Sequence, residues 1–248
     1  MIFVPYFMGE RSRDGARLAD GGDPVEPPLP DASPLERMGA LYAGLADRVA
    51  ASAGARVQAG DCVAALGIVA GLQRRGTDPH VVWLDAHGDF NTWETTPSGF
   101  LGGMPLAMMV GLGEPAIADA VGLRRLAPER VWLVGARDLD PGERENVASA
   151  GFRQLGVEEL AQLEPPAGPL HVHLDVDLLD PAEMPALDYP APGGPTSAAV
   201  RAALDHLLAT GRVAALSFVG WNPALPGADR AREVAAGMVG DLLAPAAR

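Results

Sequence analysis

Short apolar runs alternate along the chain with segments of helical periodicity. Turn-forming or charged residues bound the apolar runs, which cover residues 2–7, 81–84, 131–134, 171–176 and 213–219. Runs of this length are typical of strands in a sheet that is covered on both faces. Apolar residues recur at three- and four-residue spacing in segments 34–52, 62–75, 142–150, 196–210 and 229–243. That spacing predicts helices.

Alternating strands and helices predict a single α/β domain over residues 1–248, with parallel strands joined by helical crossovers. Residues 20–33 are rich in Pro, Gly and Asp and predict an irregular surface loop rather than a linker between domains. Residues 89–103 are polar and follow a predicted strand directly. We expect them to form a loop at the carboxyl end of the sheet, where open α/β sheets bind ligands.

Composition and charge narrow the classes of partner. The 248 residues are 48% hydrophobic, which is enough to bury one substantial core. The formal net charge is −13 and every basic side chain is arginine, so we expect no nucleic-acid or membrane partner, since both favour a positive surface. No apolar run is long enough to span a bilayer, and Cys62 is the only cysteine. These features predict a cytoplasmic protein in a reducing compartment.

The first chemical motif is VVWLDAHGDFN, in which an apolar strand ends in Asp85, His87 and Asp89 before Asn91. Alternate positions of an extended chain point to the same side, so the three side chains are expected to converge. Two carboxylates and an imidazole form an anionic pocket suited to a divalent cation. A polar strand-to-loop turn without a ligand is the alternative.

The second motif is HVHLDVDLLDP, a β-rich run that ends in Asp175 and Asp177, with Asp180 and Pro181 closing the turn. Carboxylates held this close repel each other, and burying them is costly unless a cation or hydrogen-bond donors compensate their charge. A second such cluster therefore favours a metal site. Solvated turn aspartates are the alternative.

The order DAHGDFN, SGFLGGMP, GARDLDPGE, DVDLLDP and WNP resembles the ureohydrolases, the family of arginase, agmatinase and their relatives. The resemblance runs from about residue 4 to the C-terminus. It implies a three-layer α/β/α fold with a central, mainly parallel sheet of roughly eight strands. It also implies a hydrolase with two Mn²⁺ ions bridged by a hydroxide.

The resemblance carries metal-ligand positions onto six residues: Cys62, Asp85, His87, Asp89, Asp175 and Asp177. The four aspartates are expected to hold the bridging hydroxide. Cys62 departs from the family, which has Gly-Gly-Asp-His where this chain has Ala-Gly-Asp-Cys, so a thiol replaces an imidazole. A thiol on a divalent cation deprotonates, and sulfur also suits zinc or iron. A buried core thiol is the alternative for Cys62.

Two further departures concern catalysis. The proton-shuttling histidine of arginases corresponds to Gly102, and the glutamate beside the guanidinium corresponds to Gly220. With that histidine missing, the proton donor is unassigned, and Glu94 and Asp188 are candidates.

Contacts to an α-amino acid are retained. They fall on Asn91, Ser98, Asp140 and Glu143, while Phe100 replaces a polar contact. Helix N-capping is an alternative role for Asp140 and Glu143, and the two roles are compatible.

These departures predict a substrate less basic than arginine, because a charged guanidinium would be desolvated without an acidic partner. Within the family the pattern resembles the hydroxyarginine amidinohydrolases of D-cycloserine biosynthesis. We therefore expect hydrolysis of Nω-hydroxy-L-arginine to hydroxyurea and L-ornithine. Another ureohydrolase activity, on arginine, agmatine or a guanidino acid, and a catalytically inactive metal-binding relative are the alternatives. A monomer is expected, since the chain lacks the extended tail through which many arginases trimerise.

Overall fold

Seven parallel strands form the central sheet of the computed structural model, which describes residues 1–18 and 24–243. Strands, in chain order, are β1 Ile2–Val4, β2 Tyr6–Phe7, β3 Glu10–Arg11, β4 Ala55–Ala59, β5 His80–Leu84, β6 Val131–Val134, β7 Arg153–Leu155, β8 Leu170–Asp175 and β9 Val213–Val219. Helices are α1 Pro34–Ala50, α2 Ala64–Arg74, α3 Pro105–Val110, α4 Ala116–Ala120, α5 Pro141–Ala150, α6 Val157–Leu160, α7 Ser197–Ala209 and α8 Ala228–Leu243.

The sheet order is β1-β4-β9-β8-β5-β6-β7, and β2 pairs with β3 in a separate two-stranded hairpin. Two buried apolar clusters hold the layers together. One includes α1 and α2, and the other includes α7 and α8. This arrangement confirms the three-layer α/β/α prediction. The described residues contain seven strands in the main sheet, close to the roughly eight expected.

Proline breaks the first predicted strand. Residues 2–7 form β1 and β2 instead of one strand, because Pro5 has no N–H to donate to a ladder. Its carbonyl instead accepts the N–H groups of Ser12 and Arg13 at 3.0 Å, which turns the chain. The last predicted residue of segment 171–176 also leaves the sheet, since β8 ends at Asp175 and a 3-10 turn follows.

The predicted surface loop lies only partly within the described residues. Residues 20–23 lie outside them, and residues 24–33 contain no helix or strand apart from a bridge between Pro24 and Phe3. The loop ends where Ser33 and Glu36 form a capping box at the start of α1. In the part of the chain that is described, none of the helices combines the length and hydropathy needed to cross a bilayer.

Candidate metal centre and active site

The two aspartate motifs meet at the carboxyl edge of the sheet. Strands β5 and β8 are neighbours with Leu84 opposite Leu174, so Asp85 and Asp175 lie side by side just beyond that pair. The chain turns at each motif in the same way. Asp85 Oδ1 accepts the N–H of His87 at 2.7 Å, and Asp175 Oδ1 accepts the N–H of Asp177 at 2.9 Å. Each first aspartate thus fixes the direction of the side chain two residues later.

The six proposed ligands line one cavity of about 480 Å³. His87 Nδ1 lies 3.0 Å from Asp177 Oδ2 and 3.4 Å from Asp85 Oδ1. On the other side, the Cys62 thiol donates to Asp175 Oδ2 at 3.1 Å and lies 3.9 Å from Asp85 Oδ2. Asp85 therefore faces both groups, at the centre of the cluster.

Burial and mutual repulsion dominate the electrostatics of the cluster. Burial, reinforced by neighbouring carboxylates, raises the pKa of Asp89, of Asp177 and of the Cys62 thiol well above their usual ranges. Burial and the charge of Asp85 raise the pKa of Asp175 to about 7. Burial disfavours the imidazolium of His87, but hydrogen bonds to Asp177 and Asp85 outweigh it and raise the pKa of His87 to about 12.

A cation would resolve this crowding. Asp89 Oδ2 is buried and has no hydrogen-bond partner among the described residues, which is costly for a carboxylate oxygen. Asp89 also adopts the left-handed backbone conformation, with φ of 49°. Two groups of side chains are close enough to share an ion: Asp85, His87 and Asp177 in one, and Cys62, Asp85 and His173 in the other. The donor types fit divalent cations, and Asp85 belongs to both groups.

Three residues that the sequence patterns did not nominate support the cluster. Trp83 donates its indole N–H to Asp85 Oδ2 at 3.2 Å. Asp61 accepts the Tyr42 hydroxyl at 2.5 Å and the Val63 N–H at 3.1 Å, and so holds the turn that carries Cys62. His173 is the third and is buried beneath the cavity. Each occupies an ordinary strand or turn position, so only the contacts reveal its role.

Arg137 supports the cluster from the other side of β8. Its guanidinium donates to the carbonyl oxygens of Leu178 at 3.0 Å and Ala191 at 2.7 Å, and more distantly to that of Asp177 at 3.3 Å. The backbone that follows β8 is thereby tied to the backbone that follows β6.

The four proposed substrate contacts line the same cavity. Asn91 donates its amide to Asp140 Oδ2 at 3.0 Å, and Ser98 lies exposed on the loop above. Asp140 and Glu143 form a capping box at the start of α5, and Glu143 also accepts the Phe90 N–H at 2.9 Å. The capping role of Asp140 and Glu143 is therefore present, and both carboxylates face the cavity as well.

The comparisons with known proteins agree with this geometry. The Arginase family model matches residues 6–244. The chain belongs to the arginase family. An arginase of Bacillus caldovelox is 35% identical over 200 residues, which cover 75% of this chain and 67% of that protein. The N(omega)-hydroxy-L-arginine amidinohydrolase of Streptomyces lavendulae is 37% identical over 189 residues, which cover 75% of this chain and 66% of that protein.

The fold of the arginase family extends over nearly the whole chain. The crystal structure of arginase from Bacillus subtilis has a TM-score of 0.81 and 28% identity, and the match covers 98% of this chain and 97% of that one. Arginase-family members are hydrolases that act on guanidino carbon–nitrogen bonds, and this chain is a hydrolase of that class. The family generally depends on two manganese ions, for which the cluster described above provides donors.

At both family positions occupied by glycine, a side chain would meet a neighbouring side chain. A Cβ atom at Gly102 would lie 2.3 Å from Phe100 Cε1, so the Phe100 ring fills the space of a side chain there. A Cβ atom at Gly220, where φ is +109°, would lie 1.8 Å from Asp175 Oδ1. Neither a histidine at 102 nor a glutamate at 220 fits this arrangement.

The two candidate proton donors differ in position. Glu94 is exposed, accepts the Thr92 hydroxyl at 2.7 Å and does not line the cavity. Asp188 lines the cavity. Both of its oxygens are engaged, by Arg13 at 2.6 Å and by the Asn222 amide at 2.8 Å.

Proposed function

We propose that the protein hydrolyses Nω-hydroxy-L-arginine to hydroxyurea and L-ornithine at a binuclear manganese centre. The observation that carries the proposal is Gly220, which lies beside Asp175 and supplies no acidic side chain next to a bound guanidine group. Asp188 does not replace it, because Arg13 and Asn222 already engage its two oxygens. The 37% identity to the Streptomyces lavendulae amidinohydrolase supports the same substrate.

The charge of the substrate's guanidine group decides between these substrates. A guanidinium remains charged at neutral pH, and moving it into a cavity without an anionic partner costs several kcal/mol, on the order of the penalty for a buried ion. N-hydroxylation withdraws electron density from the guanidine and lowers its basicity, so the substrate enters largely uncharged. Its retained α-amino and α-carboxylate groups would contact Asp140 and Glu143 on one side and Asn91 and Ser98 on the other.

Side chains of the protein would hold the ions, orient the substrate and exclude water. The ions would be held by Cys62, Asp85, His87, Asp89, Asp175 and Asp177. When bound, divalent cations lower the pKa of water and stabilise negative charge that develops in the transition state. The mouth of the cavity is aromatic, since Phe100 lies 4.9 Å from Tyr189 and 6.3 Å from Phe7 between ring centroids. These rings reduce the access of bulk water.

No side chain is assigned to deliver a proton to the leaving amine. Gly102 has no side chain, and Phe100 occupies the space above it. General acid catalysis is worth about 10²–10⁴-fold, so an activated substrate with its own dissociable hydroxyl compensates for the missing group. A substrate of this kind explains how activity persists without the histidine.

A substrate panel tests the proposal. Manganese-loaded protein is assayed for ornithine and hydroxyurea with Nω-hydroxy-L-arginine, and for urea with L-arginine, agmatine and 4-guanidinobutyrate. We expect kcat/KM for hydroxyarginine to exceed that for every other substrate by at least about 10²-fold, the typical value of a missing general acid. Preference for agmatine or guanidinobutyrate, which lack the α-amino acid group, would overturn the assignment.

A matched variant isolates the α-amino contact. Glu143→Gln keeps the length of the side chain at α5 but loses the negative charge and one of the two oxygens that accept the N–H groups of Phe90 and Asp140, whereas Gln154→Glu changes charge on an exposed strand residue away from the cavity. We expect only Glu143→Gln to raise KM for hydroxyarginine, and we expect it to lose about 1–3 kcal/mol of stability for the unsatisfied backbone N–H. An equal KM in both variants would show that Glu143 serves only as a cap.

A further inference from the structure

His173 is a buried imidazole that the proposed function leaves without a role. It lies in β8 two residues before Asp175, is 1% exposed, and pairs in register with Trp83 of β5. The two rings stack at 3.8 Å between centroids. A ring nitrogen of His173 lies within 4.8 Å of both the Cys62 sulfur and an Asp85 carboxylate oxygen.

One serine links His173 to a second buried histidine. Ser217 Oγ lies 2.9 Å from His173 Nδ1 and 2.9 Å from His171 Nε2. Both rings are buried, and apart from Ser217 neither has a hydrogen-bond partner among the described residues, so both are treated as neutral imidazoles. Because each neutral ring has one N–H and Ser217 has one O–H, the hydroxyl accepts from one ring and donates to the other.

The two possible arrangements give His173 Nε2 opposite characters. If His173 Nδ1–H donates to Ser217, the hydroxyl donates to His171 and His173 Nε2 carries a lone pair. If the order is reversed, Nε2 carries a proton. Metal ligation requires the lone pair, and a hydrogen bond from Nδ1 to an acceptor is the usual way in which a ligating histidine is oriented.

His173 Nε2 has no hydrogen-bond partner among the described residues, although it is buried beside thiol and carboxylate groups. An unpartnered buried nitrogen is costly. Metal–ligand bonds are about 2.0–2.3 Å long for nitrogen, oxygen and sulfur donors, so two donors on one ion lie up to about 4.5 Å apart. The Cys62, Asp85 and His173 donors lie within 4.8 Å of one another, close to that limit, so small shifts of these side chains would let them share one cation.

We propose that His173 Nε2 is a ligand of the ion held by Cys62 and Asp85, so that the two ion positions differ in chemistry. One position has sulfur, nitrogen and oxygen donors, a set that favours Zn²⁺. The other, at Asp85, His87 and Asp177, has only nitrogen and oxygen donors and suits Mn²⁺. The inference rests on the binuclear centre of the proposed function and refines it in the identity of one ion.

Metal binding by the intact protein tests the proposal. Metal-free wild type, His173→Ala and the control His206→Ala, whose imidazole bonds the Leu163 carbonyl far from the cavity, are each titrated with Zn²⁺ and Mn²⁺ in a competition assay with a chelator. We expect His173→Ala to weaken the tightest Zn²⁺ site by at least about 100-fold, beyond the range of 10- to 100-fold for residues that only orient a ligand. The control should match wild type.

Crystals of wild-type protein loaded with Zn²⁺ and Mn²⁺ provide a readout that needs no variant. Anomalous scattering at the zinc edge should place Zn²⁺ within about 2.0–2.3 Å of His173 Nε2. Zinc farther than hydrogen-bond distance from that nitrogen, or wild-type Zn²⁺ affinity in His173→Ala, would overturn the proposal. Hydroxyurea release is assayed on the same samples, so ligation by His173 without turnover refutes only the proposed function, and turnover without ligation refutes only this inference.

Discussion

Gly102, Gly220 and the ring of Phe100 are the residues that make this cavity depart from the arginase pattern. The Phe100 ring lies where a side chain at Gly102 would begin, and it also contacts Tyr189 across the mouth of the cavity. The loss of a side chain at 102 and the gain of a ring at 100 are therefore one structural change. A histidine restored at 102 would have to displace the ring.

Gly102→His combined with Phe100→Ala should provide a general acid, whereas Gly102→His alone should not. Gly102→His is expected to lower kcat/KM for hydroxyarginine by roughly 10-fold or more, because the Phe100 ring must be displaced from its place in the cavity wall. Adding Phe100→Ala makes room, and general acid catalysis by the new imidazole, worth about 10²–10⁴-fold, should then appear in single-turnover rates. Phe100→Ala alone is the control. Faster turnover by Gly102→His alone would contradict the steric argument.

A side chain at residue 220 would displace the Asp175 carboxylate beside it, so the site needs glycine there. In Gly220→Ala the new methyl group would displace Asp175, and we expect Mn²⁺ affinity to fall by about 10- to 100-fold, as when a residue that orients a ligand is lost. Gly211→Ala is a matched control, because Gly211 also has positive φ, +67°, but has open space at the Cβ position. The control should lose stability only, by about 1 kcal/mol. Equal metal affinity in the two variants would exclude the clash.

At the scale of elements, the hydrophobic pattern predicted five helices and most of the sheet, because their apolar residues repeat regularly. It missed β4 and β7. In β4, Arg56 and Gln58 interrupt the apolar run, although Gln58 is buried and bonds to backbone groups of Ala16 and Leu18; in β7, Arg153 and Gln154 are exposed. The motifs predicted which six residues would lie together as metal ligands, and these six line one cavity. His173 could not be recognised in the same way, because its relation to Cys62 depends on the order and register of the strands.

Arg137 connects two of these elements, and its planar group explains why lysine should not replace it. A lysine has a single nitrogen, so it cannot reproduce the fork in which two guanidinium nitrogens bond separately to the Leu178 and Ala191 carbonyl groups. Arg137→Lys is expected to reduce the free energy of unfolding by roughly 1–3 kcal/mol, as for a lost hydrogen bond to a charged group. Arg144→Lys, at an exposed arginine nearby, should have little effect. Chemical denaturation of both variants measures the difference.

At the scale of the molecule, the centre is assembled by neighbouring strands of one sheet. The neighbouring strands β4, β9, β8 and β5 each place one site residue at or just after their carboxyl ends. In that order across the sheet, these residues are Cys62, Gly220, Asp175 and Asp85. Residues far apart in the chain thus become neighbours through parallel pairing. The same geometry gathers buried carboxylates that repel one another when no cation is bound, so the site opposes the stability of the fold that creates it.

Asp89→Asn tests whether the buried carboxylates destabilise the metal-free fold. The substitution should raise the stability of the metal-free protein and lower the stability of the metal-bound protein, relative to wild type. Asn tolerates the left-handed backbone of residue 89 and removes a charge whose Oδ2 has no partner among the described residues, so the metal-free variant should melt at a higher temperature than wild type. Metal at about 100 times its Kd stabilises a protein by about 2.7 kcal/mol, which for a chain of this size corresponds to roughly 5–10 °C in Tm. Wild type should show this rise with Mn²⁺, and the variant should show much less.

Calorimetry of both proteins, with chelator and with Mn²⁺, measures the four Tm values. Asn222→Asp is a useful control, since it places a carboxylate beside Asp188, outside the metal cluster, and should lower Tm equally with and without metal. A metal-free Asp89→Asn protein less stable than wild type would mean that this carboxylate contributes to folding without an ion. In that case repulsion among the buried aspartates would not be the reason for binding cations at this edge of the sheet.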